Sequence, residues 1–304
     1  MSNPGRTDLS TEWPELPYKA WLDTKDTLHM CLQVIGKVRL ALTPRQPQWA
    51  NVPLYLTARG LTTTPMRGAH MAFEIVVDLI DHEVIITTAR GQIERVPLVS
   101  RPVADFYREF MGRLRGLGIE VKIWTTPSEV ADPIPFEEDS IHATYDPYWA
   151  NRFWWILSQV ALVVEEHRAP FRGKTSAVQF FWGTFDLANF RFSGRPAVPP
   201  PNADLIARIG GDAEQICAGF WPGDNRVSEP AFYAYAYPKP VDIESDVVRP
   251  RGAAWNNEMG EFIYPYQAAR LTSDPRRAIL DFFESTYDVG AKRQGWSGDL
   301  VSIG

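Results

Sequence analysis

Slid 126 residues along itself without a gap, the chain lays one set of structural signals on another. Gln33 falls on Gln159, Val34 on Val160, Val38 on Val164, Pro44 on Pro170 and Val52 on Val178. A helix, the proline that stops it and the strand that follows thus recur in register. Such a recurrence constrains a fold more than composition does, because each copy has the same apolar face to bury. The fold class it implies is α+β: two related helix–antiparallel sheet–helix halves, an internal duplication. Such halves would set their sheets about a pseudo-two-fold axis, with the crevice between them as the natural place for a ligand.

The individual elements follow from periodicity. Residues 21–37 read as a helix, with Trp21, Leu28, Leu32, Ile35 and Leu42 on one arc. Thr43-Pro44 ends it, since a residue before proline avoids the helical region. Alternation predicts strands over 52–59, 73–80, 84–88 and 93–99, with 61–68 as a turn-rich connection and Asp81-His82-Glu83 as a hairpin turn that exposes His82. Pro102 opens a second helix at its first turn, striped by Phe106, Phe110, Leu114 and Leu117. Residues 119–124 read as a further strand. Asp146-Pro147 starts a long helix reaching His167, residues 178–186 read as one aromatic strand, and strands are expected near 232–237 and 262–264. A last helix spans 275–287. These signals divide the chain into a flexible N-terminal segment (1–16), a first α+β half (17–125), a Pro- and acid-rich linker (126–145), a second α+β half (146–292) with a Pro-rich insertion (193–230), and a tail (293–304).

The 304 residues carry a net charge of −6 with no run of Lys or Arg, which argues against a nucleic-acid partner. No apolar stretch is long enough for a bilayer and no basic-then-apolar leader opens the chain, so no membrane partner is expected and the expected location is cytoplasmic. The two cysteines, Cys31 and Cys217, fit a reducing compartment where each serves as a small buried hydrophobe. Eleven Trp and eleven Tyr supply side chains suited both to cores and to ligand pockets.

Chemistry-bearing residues show no diagnostic spacing. His29, Gln33 and Lys37 lie at i, i+4 and i+8 and form one polar stripe, which reads either as a solvated helix face or as the wall of a cavity. Tyr233, Tyr235 and Tyr237 alternate with Ala234 and Ala236, putting the phenols on one strand face. In 178–186, Phe180, Trp182 and Thr184 share a side, Gly183 leaves room for close approach, and Asp186 stands at the strand end. A buried Asp186 needs a partner, with Arg191 or Arg59 as the cations at hand. The five histidines have no metal-ligand spacing, and no phosphate loop or nucleophile motif occurs, so neither metal nor cofactor is expected.

Several stretches carry a family resemblance: Leu16-Pro17-Tyr18 with Trp21, Leu28-His29 through Gly36-Lys37-Val38-Arg39-Leu40, Tyr55 through Thr63, Tyr145-Asp146-Pro147, Phe180 through Leu187, Gly219 through Gly223, and Glu229 through Tyr233. Together they resemble a bacterial family known only as a domain of unknown function and spanning nearly the whole chain. The resemblance implies no activity for any residue. From the residues themselves, the leading expectation is a small-molecule-binding protein or enzyme with its pocket between the halves, lined by His29, Lys37, Arg59, Trp182, Asp186, Glu229, Tyr233 and Tyr235. Arg59 and Lys37 would favour a polar or anionic aromatic ligand, and His29 would be the general acid/base because its pKa lies nearest neutrality. The alternative is a non-catalytic interaction or scaffold protein that uses the Pro-rich insertion.

Overall fold

In the computed structural model, which describes residues 11–68 and 70–300, the first helix runs as α1 (Tyr18–Leu42) and ends where Thr43 turns extended ahead of Pro44. Its burial is not one-sided. Every residue from Met30 to Arg39 is buried, so α1 is a central helix whose polar side chains must find partners inside the protein.

Six antiparallel strands follow: β1 (Tyr55–Leu56), β2 (Gly60–Thr62), β3 (Met66–Arg67), β4 (Ala72–Asp78), β5 (Glu83–Thr88) and β6 (Ile93–Pro97). Their order is β1-β2-β4-β5-β6, with β3 added to β4. The β4–β5 hairpin turns through Asp81-His82 as expected. His82 is half-buried there, its Nδ1 2.9 Å from the Tyr145 hydroxyl. The strand expected at 52–59 shrinks to β1, and the connection expected at 61–68 holds β2 and β3. The chain turns between β1 and β2, the Thr57 N–H donating to the Gly60 carbonyl at 2.8 Å, and Gly60 brings the β2 backbone so close to the Val77 carbonyl that a Cβ would overlap it. Pro102 then stands as N-cap, one place ahead of its expected position, to α2 (Val103–Gly116), whose Phe106, Phe110 and Leu114 face the core. Residues 119–124 form no strand. Their alternation is real, with Ile119 buried and Val121 and Ile123 packed on the core, but no neighbouring strand completes a ladder.

The second half comprises α3 (Pro147–Arg168), β7 (Gln179–Phe181), β8 (Asp186–Pro196), α4 (Leu205–Gly210), β9 (Ala213–Trp221), β10 (Ala231–Tyr237), β11 (Ala254–Asn256), β12 (Glu261–Pro265), α5 (Tyr266–Arg270) and α6 (Pro275–Gln294). Asp146 caps α3 by accepting the Tyr148 N–H, and Asp274 caps α6 by accepting that of Arg277. In each case proline follows at the first helical position, where its missing N–H costs nothing. The sheet order is β11-β12-β10-β9-β8-β7, antiparallel throughout.

Two expectations fail here. Residues 178–186 are not one strand but a hairpin, because the chain turns through Trp182-Gly183-Thr184 and Phe185 adopts a left-handed φ of +61°. The insertion expected at 193–230 is only partly an excursion: it contains β9, which pairs with both β8 and β10. Small residues (Cys217, Ala218, Gly219) and a preceding Pro run masked its strand pattern.

α3 and α6 cover one face of the second sheet, and α1 packs against α2 and α3, with Trp21 and Phe153 ring centres 4.9 Å apart. One apolar core runs through both halves. The connection over 126–145 belongs to it, since Phe136 and Asp139 are fully buried. At the chain ends, Trp13 and Leu16 are buried while Trp296 and Leu300 pack on the core. Residues 1–10 and 301–304 of the expected terminal segments lie outside the described residues. Cys31 and Cys217 are both free and buried. Among the described residues no helix is long and apolar enough to cross a membrane. The two sheets touch where Leu54, just before β1, and Phe180 of β7 exchange two backbone hydrogen bonds of 2.9 Å.

Candidate functional site

The polar stripe of α1 is spent on holding two loops. His29 Nε2 lies 2.9 Å from the Trp182 carbonyl and 3.0 Å from that of Gly183. Carbonyls only accept, so Nε2 carries a proton. Desolvation, helped by the Lys25 charge, pushes its pKa down to about 4. Gln33 makes a two-way pair with the backbone of Ser128, donating to its carbonyl at 2.7 Å and accepting from its N–H at 2.8 Å. Lys37 donates to the Ser128 hydroxyl at 2.9 Å and sits 5.8 Å from the centre of the Trp182 ring. Burial lowers its ammonium pKa to about 8. The indole lies on α1 at Gly36, where a Cβ would overlap it, and its N–H reaches the Val52 carbonyl at 2.9 Å. These contacts clamp the 182–183 turn and the loop around residue 128 onto α1. They engage His29 at Nε2 with two backbone carbonyls, while burial lowers its pKa.

The clamped turn leads into β8 and to a second group of side chains, on the sheet face away from α3 and α6. On β10, Phe232 and Ala236 point to α6, Phe232 meeting Phe283 and Ala236 lying beside Gly290. Strand alternation therefore puts Tyr233, Tyr235 and Tyr237 on the other face. The Tyr233 ring lies flat across Gly219 of β9, where a Cβ would overlap the ring and come within 2.5 Å of the Leu187 carbonyl. Crossing that glycine lets its hydroxyl donate to Asp186 Oδ2, while Thr184 donates to Oδ1. Tyr235 is stacked on Tyr233, ring centres 6.4 Å apart and planes 10° from parallel. Cys217 lies beneath, its thiol 4.0 Å from the Tyr233 hydroxyl.

Loops rim this face. Val227 and Met259 pack on its apolar part, Glu129 rests its carboxylate on Gly183, and Tyr237 packs against Gly211. Arg226 lies 6.0 Å from the Trp221 ring and is held by Asp224 at 2.8 and 3.0 Å. Tyr235, Phe181, Phe190 and Glu261 are only half-buried, so the face stays reachable from solvent.

Acidic groups dominate its electrostatics. Burial raises the Asp186 pKa, with the two hydroxyl donors opposing. Glu261 is pushed up to about 7, first by desolvation and then by Asp186, with Arg226 opposing. Glu129 is raised by desolvation, then by Asp186 and Asp204. Among the described residues no Lys or Arg forms an ion pair with Asp186, Glu129 or Glu261. The Tyr233, Tyr235 and Cys217 protons are all held well above their usual pKa ranges, chiefly by burial. The face therefore offers carboxyl acceptors beside neutral phenols. Among the described residues no three His, Cys, Asp or Glu side chains converge as a metal would require.

Of the eight residues singled out from sequence, His29, Lys37 and Trp182 meet at the clamp, and Asp186, Tyr233 and Tyr235 meet on the sheet face. Phe185 joins the groups, its ring 4.8 Å from that of His29. Arg59 and Glu229 stand apart. Arg59 is bound to Asp78 and Asp81 at 2.5 Å each, at the turn of the first sheet, and Glu229 is exposed on the loop before β10. Neither expected cation partners Asp186. Arg191 instead donates to the His167 carbonyl between the rings of Phe171 and Tyr287. Sequence reasoning missed Glu129, Glu261 and Gly219. Glu261 was findable, since strand alternation sets it on the same face as Ile263, the partner of Tyr233. A glycine inside a strand also signals close approach.

Two antiparallel sheets around a shared helical core, with a carboxyl–phenol face on the second, define the chain as an α+β protein of two helix–sheet–helix halves. It belongs to DUF5996, a family of unknown function whose pattern matches residues 13–303. No curated protein and no solved structure matches it.

Proposed function

We propose that the protein binds a small molecule, as receptor or enzyme, on the rimmed outer face of the second sheet. The observation that carries this reading is the Tyr233–Asp186 hydrogen bond across Gly219. A bulky phenol is laid flat at the cost of a strand side chain to put a hydroxyl on a buried carboxylate. Such an arrangement holds a polar pair in fixed orientation at the edge of a face whose Tyr235 and Glu261 remain half-buried. The anionic ligand expected from Lys37 and Arg59 loses its support, because Lys37 is closed off under Ser128 and Arg59 is bound elsewhere. If the site is catalytic, Glu261 replaces His29 as the group poised to exchange a proton near neutrality. Two free buried thiols support a cytoplasmic location, and the mild net charge supports a partner other than nucleic acid.

Native and denaturing mass spectrometry on freshly purified protein, joined to ligand-observed NMR on a fragment library, tests the reading. Wild-type protein is expected to hold an adduct or fragments that Tyr235→Ala loses. Bare protein with no fragment contact sensitive to that change would sink it. A second reading, a non-catalytic interaction protein, has one observation in its favour: Val198, Leu205 and Ile206 are exposed apolar residues on the Pro-rich excursion.

A further inference from the structure

We infer that Ser128 is a nucleophile and Lys37 its base, a pair fit to take the acyl group of a small neutral ester. The inference does not depend on a ligand at the sheet face. It concerns the clamp on α1, and three features of that clamp carry it.

The first is the pairing itself. Lys37 Nζ lies 2.9 Å from Ser128 Oγ and makes no other hydrogen bond or ion pair among the described residues. Lys37 is 5% exposed. An ammonium there has one hydroxyl and the Trp182 ring in place of water and a counter-ion. Such surroundings favour the neutral amine, and burial brings the pKa down to about 8. A neutral amine accepts the Ser128 hydroxyl proton, for which no other described group is an acceptor.

The second is the way the serine is held. Gln33 grips its backbone on both sides, accepting the N–H at 2.8 Å and donating to the carbonyl at 2.7 Å. Buried Pro127 precedes it, and Glu129 after it adopts a left-handed φ of +58°. A sharp turn through a non-glycine residue costs energy, and such turns occur where a hydroxyl must be presented. Ser128 is half-buried and residues 131–133 beyond it are exposed, so the serine, and not the lysine, is the member that solvent reaches.

The third is a supply of donors for a developing oxyanion. No described acceptor takes the N–H of Glu129 or of Val130. The N–H of the residue after a nucleophile is where acyl-transfer sites place one such donor. The Glu129 carboxylate next in the chain disfavours phosphate and carboxylate substrates, which leaves a neutral ester.

In the reaction, Ser128 Oγ bonds to the ester carbonyl carbon as its proton passes to Lys37 Nζ. The bond from that carbon to the alcohol oxygen breaks, and the alcohol leaves with the proton. Water then attacks the acyl-serine and gives a proton through Lys37 to Ser128 Oγ, releasing the carboxylic acid.

Two measurements on the full chain test this: labelling by a biotin-linked fluorophosphonate, located by intact-mass spectrometry and peptide mapping, and hydrolysis of p-nitrophenyl acetate. Wild-type protein is expected to gain one phosphonyl group, on Ser128, with release of fluoride. The rate should rise with pH through a midpoint near 8. Of the titratable groups beside the pair, His29 on α1 titrates near 4 and Glu129 lies on the serine's own loop. Lys37→Arg keeps a cation and a donor but does not deprotonate in this range. It is expected to slow labelling and hydrolysis about tenfold or more and to erase the midpoint, and Ser128→Ala to abolish both. Wild-type protein without an adduct at Ser128 would overturn the inference whatever the variants do, and so would a rate unchanged in Lys37→Arg, since a mere tether needs no deprotonation. Either failure leaves the sheet-face reading standing, because that is read from fragment binding and not from labelling.

Discussion

Leu54 and Phe180, the two residues that join the sheets by a reciprocal pair of backbone hydrogen bonds, are 126 positions apart, the same shift that aligns the halves of the sequence. A residue paired with its own counterpart in an antiparallel bridge is what a two-fold axis through that bridge would produce. The helix ends agree, since α1 stops at Leu42 and α3 at Arg168, also 126 apart. Both bridge residues are fully buried. Leu54→Ala is expected to cost about 2–5 kcal/mol, the range for emptying a buried leucine site. Because one core spans both halves, urea unfolding followed by fluorescence and by circular dichroism should shift as a single transition. Two separated transitions in the variant would show that the halves fold independently.

Gly219→Ala should disturb the candidate site more than the fold. The added methyl would strike the Tyr233 ring and the Leu187 carbonyl, so the phenol must lift and release Asp186. A loss of about 1–3 kcal/mol is expected, typical of overpacking. Tyr233→Phe keeps the ring in place and loses only the hydroxyl donor, for which about 1–2 kcal/mol is expected. A chemical-denaturation series in which the alanine variant matches wild type would show that the ring does not depend on the glycine.

Much of this architecture was legible in the sequence, and what was not has identifiable causes. The helices were readable because caps and prolines mark their starts: Asp146-Pro147 and Asp274-Pro275 act through local hydrogen bonds that need no tertiary context. β4 and β5 were readable from β-branched runs. β9 was missed because a strand of small residues in the middle of a sheet has no pattern of its own, and its partners define it. Residues 119–124 show the converse, alternation without a partner strand. For the site, residue type led to Asp186 and the tyrosines, but it misassigned the cations. Long-range pairing sets Arg59 on Asp78 and Arg191 on the His167 carbonyl, and no local pattern encodes either. Glu129 reaches the site from a loop, through the Gln33–Ser128 clamp.

His29 makes a distinct acid-sensitivity prediction. Its folded pKa is lowered from 6.5 to about 4. A depressed histidine contributes stability that is fully present above pH 6.5 and is lost as the pH falls toward 4, because the ring would have to charge in a desolvated site near Lys25. About 2 kcal/mol of acid destabilisation is expected from it, allowing for partial solvent access. His29→Gln, which can present an amide N–H to the same carbonyls, should flatten the stability profile between pH 6.5 and 4. Ring signals of His29 that titrate near pH 6.5 by NMR would contradict the assignment.

Glu261 works in the opposite direction. Its folded pKa is raised from 4.5 to about 7, so the folded protein holds that proton more tightly than the unfolded chain does. Its contribution is therefore most favourable below pH 4.5 and is lost as the pH rises through 7. Asp186 on β8 repels the ionised form, while Arg226 on the loop after β9 partly offsets it. The carboxyl is half-buried, so screening reduces the effect to about 1–2 kcal/mol. Glu261→Gln should therefore gain stability over wild type by that amount between pH 4.5 and 8, measured by denaturant unfolding at each pH. A difference between wild type and Glu261→Gln that stays constant across this pH range would place the carboxyl in open solvent, and with it would go the reason for a water-poor acidic face.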